Sequence, residues 1–345
     1  MKNSELVLVT GGTGFVSMQI IFQLLHKGYQ VRTSLRSLSK KKGVINTLKS
    51  QGISSLDNLS FVETELTKDD NWEEAMKGCK YVLSVASPVF FEVPKNEKEA
   101  IKPAVEGILR VLKFAKKEGV KRVVMTSNFG AVGFSQTDKN IQTTETDWTN
   151  PKEKGLSIYE KSKTLAEKAA WDFIKKEGEG LEFATINPVA ILGPSLNAHT
   201  SGSFNILKHL LDGSMKAVPN IPLNIVDVRD VADLHIRAMK NPNANGQRFI
   251  ASADGQISMP EIATFIKTEM PEIAKDTPSK TVPDWVLKAA ALFNARAKEG
   301  SLLLKVNRYV SNAKAKDILG WSPIASQEEA ILAALQSLIK YEIVK

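Results

Sequence analysis

The chain has 345 residues, 43% of them hydrophobic and 24% charged, with a formal net charge of +8. This is the composition of a soluble globular protein long enough for one large α/β unit with a smaller lobe, and no stretch approaches the roughly 20 apolar residues of a membrane span, so no membrane partner is expected. The positive charge is mostly lysine dispersed along the chain, and its densest run, Lys40-Lys41-Lys42, lacks interleaved aromatics, which sets aside a nucleic-acid partner.

The first residues, Met1-Lys2-Asn3-Ser4-Glu5, carry no signal-peptide pattern. They lead into Leu6-Val7-Leu8-Val9-Thr10-Gly11-Gly12-Thr13-Gly14-Phe15-Val16-Ser17, an apolar strand, a glycine-rich turn and a helix start. That order makes a pyrophosphate pocket. Gly11 permits the tight turn, Gly14 lets the backbone approach the phosphates, and the helix aims its unpaired N–H groups at them. Ser17 replaces the third glycine of the usual spacing and should loosen helix–strand packing only slightly.

Strand patterns then recur at 29–35, 59–63, 80–86, 121–127 and 181–187, with helical patterns at 14–27, 40–50, 70–77, 96–118 and 157–177. Such alternation predicts a doubly wound parallel sheet of the Rossmann type, with ligands at the C-terminal strand ends. Cys79 is the single cysteine, which excludes an internal disulfide and a cysteine-based zinc site and points to a reducing, cytoplasmic setting. Four scattered histidines offer no metal spacing, so no metal is expected. Beyond about residue 190 prolines punctuate shorter elements, and helices are expected near 228–240, 258–268, 283–297 and 326–341. The division expected is a dinucleotide-binding domain over 1–190, to which segments at about 220–240 return, and a mostly helical substrate lobe over 191–345.

The second strand addresses cofactor choice. A site for NAD usually has an acid at this strand's end, but no Asp or Glu occurs between Tyr29 and Asn46. Arg36 stands there instead, with Lys40 four residues on, and their positive charge suits the extra phosphate of NADP.

The fifth helix carries a second constellation. Ser157-Ile158-Tyr159-Glu160-Lys161-Ser162-Lys163 puts Tyr159 and Lys163 one turn apart on one face. A phenol is a poor acid–base catalyst at neutral pH, and a neighbouring ammonium should lower its pKa. Tyr341 and Lys345 repeat the spacing at the tail, but only Tyr159 follows the fifth strand of a dinucleotide fold.

With these residues in view the chain resembles the extended short-chain dehydrogenase/reductases, and among them the dihydroflavonol-reductase-like aldehyde and ketone reductases. Matching segments include Thr10 to Phe15, Val31 to Arg36, Val85-Ala86-Ser87-Pro88, Tyr159 to Ala166, Asn187 to Pro194, Val226 to Ala232 and Leu319-Gly320-Trp321-Ser322-Pro323, in the family's order over nearly the whole chain. The resemblance implies a sheet of about seven strands and NADP(H)-dependent, reversible hydride transfer to a carbonyl, by a monomer or homodimer. It also implies cofactor contacts from Gly11, Thr13, Gly14, Phe15, Val16, Arg36, Lys40, Glu65, Leu66, Val85, Ala86, Ser87, Tyr159, Lys163, Pro188 and Val189.

Two departures bear on chemistry. The family expects a serine at the end of the fifth strand to hold the substrate's carbonyl oxygen. Here the ungapped match places Asn128 there, with Ser127 one residue earlier. An asparagine amide donates the same bond, so Asn128 is favoured and Ser127 stays open. Glu65-Leu66 replaces the usual Asp-Leu beside the adenine. Pro88, Phe90, Asn128 and Phe129 are the expected substrate contacts, although the Phe90-Phe91 pair also reads as core. The expected activity is NADPH-dependent reduction of a small-molecule carbonyl, with Tyr159 as general acid. The alternatives are a nucleotide-sugar epimerase or dehydratase, disfavoured by Arg36 and by Asn128-Phe129 where dehydratases carry an Asp-Glu pair, and a non-catalytic NADP-sensing or scaffold protein.

Overall fold

Strand β1 (Leu6–Val9) shows how the sheet is built. Val7 and Val9 enter the core on one face and Leu8 enters the core on the other, because side chains alternate along a strand. Both faces are buried, as a parallel sheet requires. The computed structural model describes residues 5–88 and 96–344. Its main sheet adds β2 (Gln30–Leu35), β3 (Leu59–Glu63), β4 (Tyr81–Ser84), β5 (Arg122–Thr126), β6 (Glu182–Pro188) and an edge strand, Gln247–Ala251. All pairs are parallel, and the order is Gln247–Ala251, β6, β5, β4, β1, β2, β3. The order reverses between β1 and β4, so the crevice for a ligand opens at their C-terminal ends.

Helices α1 (Phe15–His26) and α2 (Lys41–Ser50) cover one face, while α3 (Trp72–Met76), α4 (Glu97–Lys117) and α5 (Ile158–Glu177) cover the other. Helix α4 buries Ala100, Ala104, Ile108, Val111, Leu112 and Ala115 at three- and four-residue spacing. Helix α5 is different: it buries Ser162, Lys163, Thr164 and Glu167 beside Ala166, Ala170 and Phe173. Burying charge costs free energy unless it is paired, so this face serves more than packing.

Beyond residue 190 come α6 (Phe204–Leu211), α7 (Val228–Lys240), α8 (Met259–Glu269), α9 (Asp284–Ala290), α10 (Ala295–Leu303), α11 (Ala313–Leu319) and α12 (Gln327–Lys340), with three short two-stranded pairings. Helix α7 returns to the first face of the sheet through Val231, Leu234 and Ala238. Asp227 caps it, accepting from the Arg229 backbone N–H at 2.8 Å. A separate core, with Phe204, Leu207, Ile262, Ile266, Ile331 and Leu335, forms among α6, α8 and α12. Phe15 joins it, meeting Phe204 edge-on with ring centroids 5.3 Å apart, which ties the glycine turn to that core.

Three features differ from the sequence reading. The helix expected over 283–297 is two helices, because the chain turns at 291–294 and Asn294 caps α10 by accepting from the Ala297 N–H. Helices α6 and α11 have no counterpart in that reading. Neither does the edge strand, whose polar start conceals the apolar pattern. Its Arg248 is nonetheless buried, because Glu167 and the carbonyls of Glu145 and Asp147 satisfy it.

Candidate active site

The glycine turn is closed by its own backbone and by β4. Gly11 has φ +72°, and a Cβ there would lie 3.0 Å from that of Ala86. At Gly12 a Cβ would meet the Thr33 hydroxyl at 2.2 Å. Thr10 Oγ1 accepts from the backbone N–H groups of both Val85 and Ala86 at 2.9 Å, locking the end of β4 to the turn. Ser17 improves on the expectation for it: its hydroxyl donates to the Thr10 carbonyl at 3.1 Å and clamps α1 to β1. Gly14 begins α1 with no side-chain cap, so the first N–H groups of the helix are left for an anion, and Thr13 is exposed beside them. Val16 is half-buried and packs toward the sheet core.

Arg36 and Lys40 are both exposed, at the end of β2 and in the turn that follows it. Glu63 pins that turn by accepting from the Leu38 N–H at 2.9 Å. Glu65 accepts from Thr67 at 2.9 Å and pairs with Lys68 at 3.3 Å. Thr67, Lys68 and, more weakly, Arg36 hold its carboxyl below the usual range. Leu66 packs against the bare backbone of Gly107, where a Cβ would stand 3.1 Å from that of Leu66. Leu66, Ser84, Ala86, Ser87 and Pro88 line a small cavity at the end of β4. Phe90 and Phe91 lie outside the described residues. Pro188, in register with Ala251 at the end of β6, is buried, and so is Val189.

The groups expected to react lie at the end of β5 and on the first turns of α5. Ser157 caps α5 by accepting from the Glu160 N–H at 3.2 Å, which sets Tyr159 and Lys163 on its first turns. Lys163 is 4% exposed, its Nζ 5.8 Å from the centre of the Tyr159 ring. Burial draws the lysine down to about 8, against the opposing pull of Glu160 and Glu167. The phenol moves the other way: burial and the Glu160 charge raise its pKa. The lowering expected from Lys163 therefore does not prevail in this geometry, and Tyr159 stays protonated.

Ser127 and Asn128 part company. The Ser127 hydroxyl donates to Glu167 Oε2 at 2.5 Å, within a buried network in which Thr185, Asn187, Trp171 and Arg248 donate to the same carboxylate. Asn128 Nδ2 donates to Glu160 Oε2 at 2.7 Å while its Oδ1 accepts from the Ala131 N–H at 3.1 Å. Oppositely demanding partners fix the amide's orientation and leave one amide N–H for a ligand. Phe129, expected as a substrate contact, is 2% exposed, its ring packed edge-on to Phe134 with the Arg308 guanidinium 5.9 Å away.

Two charged residues were not singled out from the sequence. Glu160, next to the tyrosine, is pushed up to about 7, chiefly by burial. Its acidic side chain at a helix start reads as ordinary, and only its place beside Tyr159 hinted at more. Arg308, far away in the chain, is 7% exposed with an unpartnered Nε, and burial pulls it down to about 10. No local pattern signals it. Among the described residues no group of three or more His, Cys, Asp or Glu could hold a metal, and no helix is long and apolar enough to cross a membrane.

The model of the 3-beta hydroxysteroid dehydrogenase/isomerase family matches residues 8–259. Anthocyanidin reductase of Vitis vinifera is 33% identical over 282 residues, 76% of this chain and 80% of that protein. Gre2 of Candida albicans, solved with NADPH, is 27% identical, covers 98% of this chain and 99% of that one, and superposes with a TM-score of 0.78. The yeast methylglyoxal/isovaleraldehyde reductase solved with NADPH is 25% identical at the same coverage, with a TM-score of 0.80.

Proposed function

Since the chain belongs to the 3-beta hydroxysteroid dehydrogenase/isomerase family, among the extended short-chain dehydrogenase/reductases and their dihydroflavonol-reductase-like group, we propose that it reduces the carbonyl of a small aldehyde or ketone with Tyr159 as the proton donor. It is an NADP-dependent oxidoreductase, in keeping with relatives that are NADPH-dependent reductases or were solved with NADPH. The residues present suit that cofactor. The uncapped start of α1 and a turn in which side chains at Gly11 and Gly12 would collide with Ala86 and Thr33 fit a pyrophosphate, and exposed Arg36 and Lys40 fit a ribose phosphate. Bound there, NADPH supplies the hydride to the carbonyl carbon.

The protein's part is to hold the carbonyl and deliver the proton. The free amide N–H of Asn128 takes the carbonyl oxygen as negative charge develops on it. Tyr159 then gives its phenolic proton to that oxygen and completes the alcohol. A phenol held protonated is the correct starting state for this direction. Lys163, buried on the same face, steadies the resulting phenolate and, as the resemblance implies, holds the nicotinamide ribose.

The observation that carries this reading is buried Lys163 beside the Tyr159 ring on α5, next in the chain to the Glu160 that holds the Asn128 amide at the end of β5. The experiment is NADPH consumption over a panel of aldehydes and ketones, beside Tyr159→Phe. Absence of turnover on the whole panel would defeat it.

A further inference from the structure

The amide at the end of β5 and the acid beside Tyr159 are bonded to each other. We propose that Glu160 is a positioning residue, which holds the Asn128 amide for the substrate's carbonyl oxygen and supports reduction only as the neutral acid. The inference rests on the reductase reading above.

The geometry is built for that contact. Glu160 Oε2 accepts from Asn128 Nδ2 at 2.7 Å, and the other end of the amide is held by the Ala131 N–H. The carboxyl lies over Gly130, where a Cβ would stand 1.7 Å from Oε2, so any other residue at 130 would displace it. The charged and titratable groups facing it come from every side. Tyr159 and Lys163 lie on its own helix, Glu299 on α10 and Arg308 on the segment after α10. Lys163, Arg308 and the Asn128 bond favour the carboxylate, Glu299 and burial oppose it, and burial wins, so the acid titrates at about 7.

Ionisation matters because the Glu160 charge is felt at the Tyr159 phenol. When Tyr159 gives up its proton it becomes an anion, and a carboxylate beside it raises the cost of that step. A carboxylate also pushes electron density through the shared N–H onto the amide nitrogen, leaving the other N–H a weaker donor toward the substrate. The neutral acid accepts the same N–H through its carbonyl oxygen and adds no charge. No atom is transferred from Glu160 in this scheme.

The test is the pH profile of kcat with the best carbonyl substrate. Wild-type turnover should fall about tenfold per pH unit above about pH 7, as a single ionisation dictates. Glu160→Gln, which is neutral and still accepts from Asn128, should lose that limb. Glu160→Ala, which releases the amide, should lower turnover at about pH 6 by roughly tenfold or more, with NADPH affinity unmoved and Glu160→Gln recovering most of the loss. A limb that persists unchanged in Glu160→Gln, or a Glu160→Ala as active as wild type, overturns the proposal. Infrared spectra supply a readout free of turnover: a protonated-carboxyl band present in wild type at about pH 6 and absent from Glu160→Gln. Its absence from wild type overturns the proposal even if Glu160→Gln fails to fold. Loss of the reductase reading would show separately, as a Tyr159→Phe protein that keeps its turnover.

Discussion

Ser127 and Asn128 are neighbours in sequence but bond to different carboxylates, Ser127 to Glu167 at 2.5 Å and Asn128 to Glu160 at 2.7 Å. One belongs to a buried structural network and the other to the proposed reaction site. Their replacement should therefore do different damage. Asn128→Ala should lower turnover by about a hundredfold with little change in NADPH affinity, and Asn128→Ser, with a donor of its own, should recover part of it. Ser127→Ala should cost about 1.5–3 kcal/mol of stability, the usual worth of a hydrogen bond to a charged group, and leave turnover within a few-fold. Steady-state kinetics beside denaturant unfolding checks both, and the reverse ranking would return the polarising role to Ser127.

Cofactor choice should follow Arg36. The unaltered protein is expected to prefer NADPH over NADH, and Arg36→Asp to weaken NADPH by about ten- to a hundredfold, since a charge-assisted bond to phosphate is worth about 1.5–3 kcal/mol. Fluorescence titration with both cofactors measures this. NADH bound as tightly as NADPH by the unaltered protein would remove the assignment.

Tyr159 and Lys163 should fail in distinguishable ways. Tyr159→Phe keeps the ring and its packing, so the protein should fold and bind NADPH while losing most of its turnover. Lys163→Ala should lose both turnover and NADPH affinity, because one ammonium serves both. Retained activity in Tyr159→Phe would contradict the proton-donor role.

Glu167 is the keystone of the buried network. It is fully buried and accepts from Ser127, Thr185, Asn187, Trp171 and Arg248. Breaking its pair by Arg248→Met leaves an uncompensated buried charge and should cost about 3–5 kcal/mol. Urea midpoints at neutral pH report it, and a loss below about 1 kcal/mol would show that the remaining donors suffice.

Glu160 should also leave a mark on stability. Its pKa in the fold, about 7, lies above the ordinary carboxyl value, so folding favours the protonated form. No penalty exists below about pH 4; it grows as pH rises toward 7 and levels off above that. Glu160→Gln should therefore gain stability over wild type at about pH 8 and show little gain at about pH 4. Equal differences at both values would show that the carboxyl does not titrate as its burial implies.

Much of this protein is legible in its local chemistry. The run from Leu6 through Gly11 and Gly14 to Phe15 specifies strand, turn and helix, because alternation, backbone freedom and helical spacing act within a few residues. The same period places Tyr159 and Lys163 on one face, and the absence of an acid near Arg36 speaks to the cofactor. The fold decided the rest. Only the register of β5 against β6 and α5 turns Ser127 toward Glu167, and only the Gly130 backbone brings Glu160 under Asn128. The edge strand Gln247–Ala251 hides behind a buried Arg248 whose partner lies on α5, and the charge of Arg308, on the segment after α10, is felt at Glu160. Burial and long-range pairing set those pKa values and donor directions, and neither is a property of a residue and its chain neighbours.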